Sequence, residues 1–131
     1  MKNKSAVYSA AVLSMLITCS PAFAHHGTGA SYDLSKHITL KGTVTAFNWS
    51  NPHLQVYFDV RDNTGKVEHW VAEIRSSLYQ ARRAGWTKDL VKPKDEITVT
   101  GNPSKSGAPA LVMEKLVLPD GTALAGGVTA E

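Results

Sequence analysis

The chain has one cysteine in 131 residues, Cys19, and it lies within the first 24 residues, which read as a segment removed on export. A mature chain that keeps no cysteine can form neither a disulfide nor a thiolate metal site, so its stability in an oxidising compartment has to come from packing. Excess charge of one sign is also scarce. The formal net charge is +3, but Lys2 and Lys4 belong to that first segment; without them 12 of the 14 Lys and Arg stand against 11 Asp and Glu, a balance of +1. This is not the strongly basic balance of a nucleic-acid-binding domain, and no nucleic-acid partner is expected. Arg82, Arg83 and Lys88 read as a solvated helix face. Long apolar runs are missing too, since the stretch from Ala6 to Thr18 is shorter than the roughly 20 residues needed to span a bilayer. No Ser/His/Asp order, Gly-rich phosphate loop or paired-carboxylate motif stands out. With no nucleophile that can be paired with a base, catalysis is not expected.

What is there begins with an export signal. Lys2 and Lys4 make a positive start, Ala6 to Thr18 an apolar centre, and Ala22-Phe23-Ala24 a small-residue cleavage site after Pro21. Residues 1–24 are therefore assigned as a signal peptide, and the expected address is a bacterial periplasm. Cys19 follows Leu16-Ile17-Thr18, a poor lipoprotein signal, so lipidation is not expected and no transmembrane segment is expected after cleavage. Removing 24 of the 131 residues leaves 107, enough for one compact domain with a modest core.

The mature chain is organised around residues 38–60. Ile38, Leu40, Gly42, Val44 and Ala46 alternate with Thr39, Lys41, Thr43 and Thr45, and Leu54, Val56, Phe58 and Val60 alternate with Gln55, Tyr57, Asp59 and Arg61. A period of two is that of half-buried strands, about 38–49 and 53–61, and Gly42 suggests a bulge or tight bend in the first. Asp62-Asn63-Thr64-Gly65 has the composition of a hairpin turn into a third strand over 67–75, with Trp70, Ala72 and Ile74 on one face. The period then changes: Ser76 or Ser77 caps a short helix that Gly85 ends, with Trp86 packing it onto the sheet. Further strands follow at 96–101 and 111–118, separated by a polar loop. Residues 25–37 read as an extended leader, and 119–131 as a flexible tail with too little apolar surface to order itself.

Three strands, a helix and two more strands is the order of an OB-fold, so the expected class is mainly β: a small five-stranded Greek-key barrel over 38–118 with one short helix between strands three and four. The alternative is an open α+β meander. Closure is favoured because five short strands in so small a chain leave exposed edges unless the sheet closes. Trp70 and Trp86 are expected in the core and Trp49 partly exposed.

An export signal ending in Ala24-His25-His26, then Leu40-Lys41-Gly42-Thr43-Val44, Trp49-Ser50-Asn51-Pro52-His53, Gly85-Trp86-Thr87, and Lys92-Pro93 with Asp95 and Thr98-Val99-Thr100-Gly101 together resemble a family of small exported bacterial proteins, domain of unknown function 6152. A fainter similarity is to periplasmic bacterial OB-fold proteins. The resemblance implies export and a small β-barrel, and brings no activity with it. Lys94 stands where such proteins commonly carry glycine, which implies a turn that does not require positive φ.

The candidate metal ligands are His25, His26, His37 and His53, and the candidate ligand face comprises Trp49, Asn51, Tyr57 and His69. If cleavage follows Ala24, His25 carries a free α-amine and an imidazole, two nitrogens that can chelate Cu(II), with His26 or His37 able to add a third. Two histidines in a mobile terminus can equally do no more than titrate. His53 and Trp49 fall in the loop between strands one and two, one of the two loops by which OB-folds meet ligands, although Asn51-Pro52-His53 also has a purely structural reading as a turn. The expected function is that of an exported, non-catalytic binding protein holding a metal ion, copper before zinc. The alternative is an adaptor that holds a periplasmic protein or another extended ligand on the barrel face.

Overall fold

The computed structural model describes residues 31–127. Alternation becomes strand where it was expected: β1 spans Ile38–Asn48, β2 Leu54–Arg61 and β3 Val67–Ile74. They are followed by helix α1, Leu78–Arg83, then β4, Glu96–Pro103, β5, Ala110–Val117, and a short β6, Ala123–Ala125. The strands lie in the order β3-β2-β1-β4-β5-β6. A parallel pairing of β3 with β5, Val71 opposite Ala110 and Glu73 opposite Val112, joins the two ends of the five-stranded run and closes the barrel. The open meander is thereby set aside.

One long strand can serve two neighbours because it bends. The first half of β1 pairs with β4 and its second half with β2, with a register shift between Val44 and Ala46. Gly42 was expected to mark the irregularity, but the bulge lies just beyond it. The glycine is needed for closeness: a Cβ there would sit 2.5 Å from the Asp59 carbonyl oxygen and 2.8 Å from the Phe58 ring. Any side chain at 42 would therefore push β2 away.

The inward parity fills the barrel. Val44, Leu54, Val56, Phe58, Ala72, Ile74, Val99, Leu111, Met113 and Leu116 form one buried cluster. Each large member contributes roughly 1.5–3 kcal/mol of transfer free energy when fully buried. Ser77 caps α1 in a reciprocal capping box with Gln80, Ala81 faces the core, and Gly85 at φ +91° turns the chain out of the helix. Trp86 follows, 1% exposed, and donates Nε1–H to the Ala125 carbonyl at 2.8 Å.

Three expectations are corrected. Trp70 shares the inward parity but sits near the hairpin end of β3, where it is only partly buried and its Nε1 reaches Glu68 at 3.1 Å. Lys94 has φ +77°, in a turn where its N–H bonds to the Val44 carbonyl and the Asp95 carboxylate accepts from the Lys92 N–H, so the turn does demand a left-handed residue without having glycine. The tail does order itself in part: β6 pairs with β5 and buries Leu124. Among the described residues no helix is long and apolar enough to cross a membrane.

Candidate binding face

The outward parity of β2 and β3 builds a polar sheet face. Register places Gln55 opposite Glu73, Tyr57 opposite Val71 and Asp59 opposite His69. Tyr57, 38% exposed, donates its hydroxyl to Gln55 Oε1 at 2.9 Å. Beside it runs a groove of about 590 Å³ whose walls include Thr45, Tyr57, Asp59, His69, Val71 and Pro109. Pro109 comes from the β4–β5 loop, and its carbonyl accepts from the Val71 N–H, so that loop is tied to the sheet. No lysine or arginine lines the groove, whereas Asp59 does. A phosphate backbone would find no counter-charge there.

At the other end of the face the leader and the β1–β2 loop converge on one carboxylate. Tyr32 donates its hydroxyl to Glu73 Oε2 at 3.0 Å, while His53 Nδ1 lies 3.3 Å from Glu73 Oε1. The Tyr32 hydroxyl is pushed up to about 12, by burial first and then by the charge and hydrogen bond of Glu73. The leader is held at several further points. The Lys105 N–H bonds to the Ser31 carbonyl, the Asp33 N–H to the Pro103 carbonyl, and the buried Asn102 side chain to the Lys36 carbonyl at 2.8 Å.

All three described histidines have Nδ1 near a carboxylate, and at His37 and His69 the contact is a hydrogen bond. His37 Nδ1 meets Glu114 at 3.0 Å, His53 Nδ1 meets Glu73, and His69 Nδ1 meets Asp59 at 2.6 Å. An ionised carboxylate can only accept, so the hydrogen bonds of His37 and His69 favour a proton on Nδ1 and leave Nε2 with its lone pair, the tautomer a metal-binding imidazole uses. These donors are not gathered together: among the described residues no group of three or more His, Cys, Asp or Glu could hold a metal ion. His25 and His26 lie outside the described residues.

The four candidates for the ligand face are divided. Tyr57 and His69 share the groove. Trp49 turns toward the helix end instead, its ring 5.8 Å from Phe47 with the Arg82 guanidinium 6.0 Å from its centroid, and Phe47 continues the row to Trp86 at 5.9 Å. Asn51 is exposed beside a cis peptide bond to Pro52. Sequence reasoning singled out none of Tyr32, Asp59 and Glu73. Tyr32, an aromatic residue in a polar leader, was the available signal.

A closed OB-like barrel with a polar outer face between two loops is the class of protein these observations define. The chain belongs to the family of unknown function DUF6152, whose model matches residues 12–112. No curated protein matches the sequence. Among solved structures, it is similar to the mitochondrial single-stranded DNA-binding protein Rim1 from S. cerevisiae in a crystal structure, at 12% identity and a TM-score of 0.49, over 64% of this chain and 93% of that one.

Proposed function

We propose that the protein is an exported periplasmic binding protein without catalytic activity and that it holds a metal ion, copper favoured, through histidine nitrogens. The observation that carries this reading is the repeated hydrogen bonding of Nδ1 to a carboxylate at His37 and His69, which orients imidazoles as metal-binding sites do, with His53 Nδ1 also close to Glu73. The described residues offer these donors singly, so the site is completed by His25 and His26, with the free amine of His25 after cleavage behind Ala24. Imidazole and amine nitrogens suit Cu(II) before Zn(II).

The test uses mature protein beginning at His25, purified without a histidine tag. Stoichiometric copper by metal analysis, and a Cu(II) affinity that falls at least about tenfold (roughly 1.4 kcal/mol) when one alanine is added before His25, support the reading. Protein that takes up no copper or zinc overturns it. A second reading is favoured by the groove beside Tyr57: with Asp59 and no cationic lining, that face suits an extended, uncharged or basic segment of a partner protein. Tyr57→Ala, which removes one groove wall and leaves the histidines in place, should weaken such a complex and leave copper uptake unchanged.

A further inference from the structure

We infer that the first half of β3, residues 67–70, is an open strand edge that takes up an extended segment of a partner protein, with a lysine or arginine of that segment lying across His69 and its charge on Asp59. The inference rests on the partner-binding reading of the groove beside Tyr57 and adds to it the backbone that is paired and the position of the cation. β3 is flanked by β2 from Val67 to Ile74, but by β5 only from Val71 to Glu73. Among the described residues no strand lies against 67–70 on the side away from β2. Parity says where the backbone groups there point. Val71 gives its N–H to the Pro109 carbonyl, away from β2, and alternate residues of a strand share a side, so the N–H and C=O of Val67 and His69 face out of the same edge.

The sequence explains why β5 leaves this edge uncovered. Carrying the parallel ladder back by two residues would require an N–H from residue 109 for the His69 carbonyl, and proline has none. Just before it, Gly107 at φ +79° gives its N–H to the Ser104 carbonyl and curls the loop on itself. An uncovered edge is a template for another chain. The groove opens at this point, with His69, Trp70 and Val71 on one side and Ala108, Pro109 and Ala110 on the other. A segment added antiparallel to β3 exchanges both backbone bonds with His69 and sets the side chain opposite it on the outer face. There the His69 side chain is 83% exposed and its Nδ1 lies 2.6 Å from Asp59. No lysine or arginine lines the groove, and Arg61 is turned to the hairpin, where it donates to the Gly65 carbonyl. Glu68, exposed on the same edge, adds a second carboxylate. A basic segment is therefore complementary and an acidic one is repelled. Self-pairing is disfavoured for the same reason: the symmetric register that matches His69 with Val67 of a second copy puts the two Glu68 side chains opposite each other.

The experiment uses the peptide acetyl-Thr-Val-Lys-Val-Thr-amide, with amide exchange and chemical shifts of the protein as the readout. In the free protein the Val67 and His69 amides should exchange faster than those of Glu68 and Trp70, which point to β2, and the peptide should slow His69. An N-methyl group on the peptide lysine, whose N–H pairs with His69, should cost at least about tenfold in affinity, whereas one on the following valine, whose N–H points to solvent, should cost little. Asp59→Asn should weaken the lysine peptide by up to about fivefold, as for an exposed ion pair, and leave a glutamine version unchanged. Pro109→Ala supplies the missing N–H to His69 and should lower affinity by closing the edge. Binding that Tyr57→Ala weakens but that neither N-methyl group affects, with His69 exchange unchanged, overturns strand addition and leaves the groove reading standing. His69 exchange that slows with protein concentration alone overturns the partner in favour of a second copy. Absence of binding up to millimolar peptide overturns both the edge and the groove as sites for a basic segment.

Discussion

Tyr32 meets Glu73 where the leader crosses the barrel, and its chemistry there can be followed directly. A hydroxyl raised to about 12 favours the folded state fully below the ordinary value near 10, and that contribution is lost as pH rises through 12. Ultraviolet titration should show one phenol ionising late, and Tyr32→Phe should delete that step; a late step that survives the substitution would assign it elsewhere. Lys94 carries strain of another kind, since a non-glycine residue in the left-handed region costs about 1–2 kcal/mol. Lys94→Gly relieves that cost, offset by the larger unfolded-state freedom of glycine, for a net gain of about 0.5–1 kcal/mol in urea unfolding. A loss of stability would show the lysine side chain to be needed. Of the tryptophans, Trp86 is enclosed and Trp70 stands at the rim. Trp86→Ala should cost about 3–5 kcal/mol and Trp70→Ala distinctly less, about 1–2, because the cavity term is small where solvent can enter. Equal losses in the two would place Trp70 in the core after all.

At the scale of elements, β6 shows where local pattern stops informing. Ala123-Leu124-Ala125 has one apolar side chain of any size, too little for a period to be read. What orders it is remote: β5 supplies the pairing through Lys115, Leu116 and Val117, and Trp86 supplies a donor for the Ala125 carbonyl. Gly126 then passes so close to Met113 that a Cβ would collide with its carbonyl. Leu124→Ala should therefore destabilise by about 2–3 kcal/mol, and ending the chain at Asp120 by at least as much with a red-shifted tryptophan emission as Trp86 meets water. A truncated chain with unchanged unfolding and emission would show β6 to be dispensable. The first two barrel strands were legible because β1 and β2 alternate along most of their length, whereas β5 buries Leu111, Val112 and Met113 in succession and shows itself as an apolar run between turn residues. The hairpin register was not legible. A turn confined to Asp62–Gly65 would set Asp59 against Glu68, whereas Asp62 pairs with Lys66 and sets Asp59 against His69. One added loop residue thus decides which side chains meet on the outer face, and composition names the turn without its length. The leader's contact with Glu73 was illegible for a related reason: it joins residues 41 apart by a single hydroxyl, with no periodicity to announce it.

At the scale of the molecule, a formal net charge of only +3 over 131 residues and a groove holding a carboxylate leave little long-range field, so association should depend on proton competition at individual nitrogens more than on salt. This gives the copper proposal a quantitative pH signature. The α-amine that cleavage before His25 would expose, ordinarily near 7.7–8, and the imidazole of the same residue, ordinarily near 6.5, must each lose a proton to bind. Between about pH 7.5 and 6.5 only the amine is substantially protonated, and affinity should fall roughly tenfold per unit. Below about pH 5.5 both nitrogens of His25 carry a proton, and the slope of log affinity against pH should approach two for that chelate. The alanine extension converts the amine to an amide and should abolish the shallow limb above pH 6.5. Competition titrations across pH 5 to 7.5 read this change in one series, and a slope that never exceeds one would mean that a single imidazole binds the metal and that the terminal chelate does not exist.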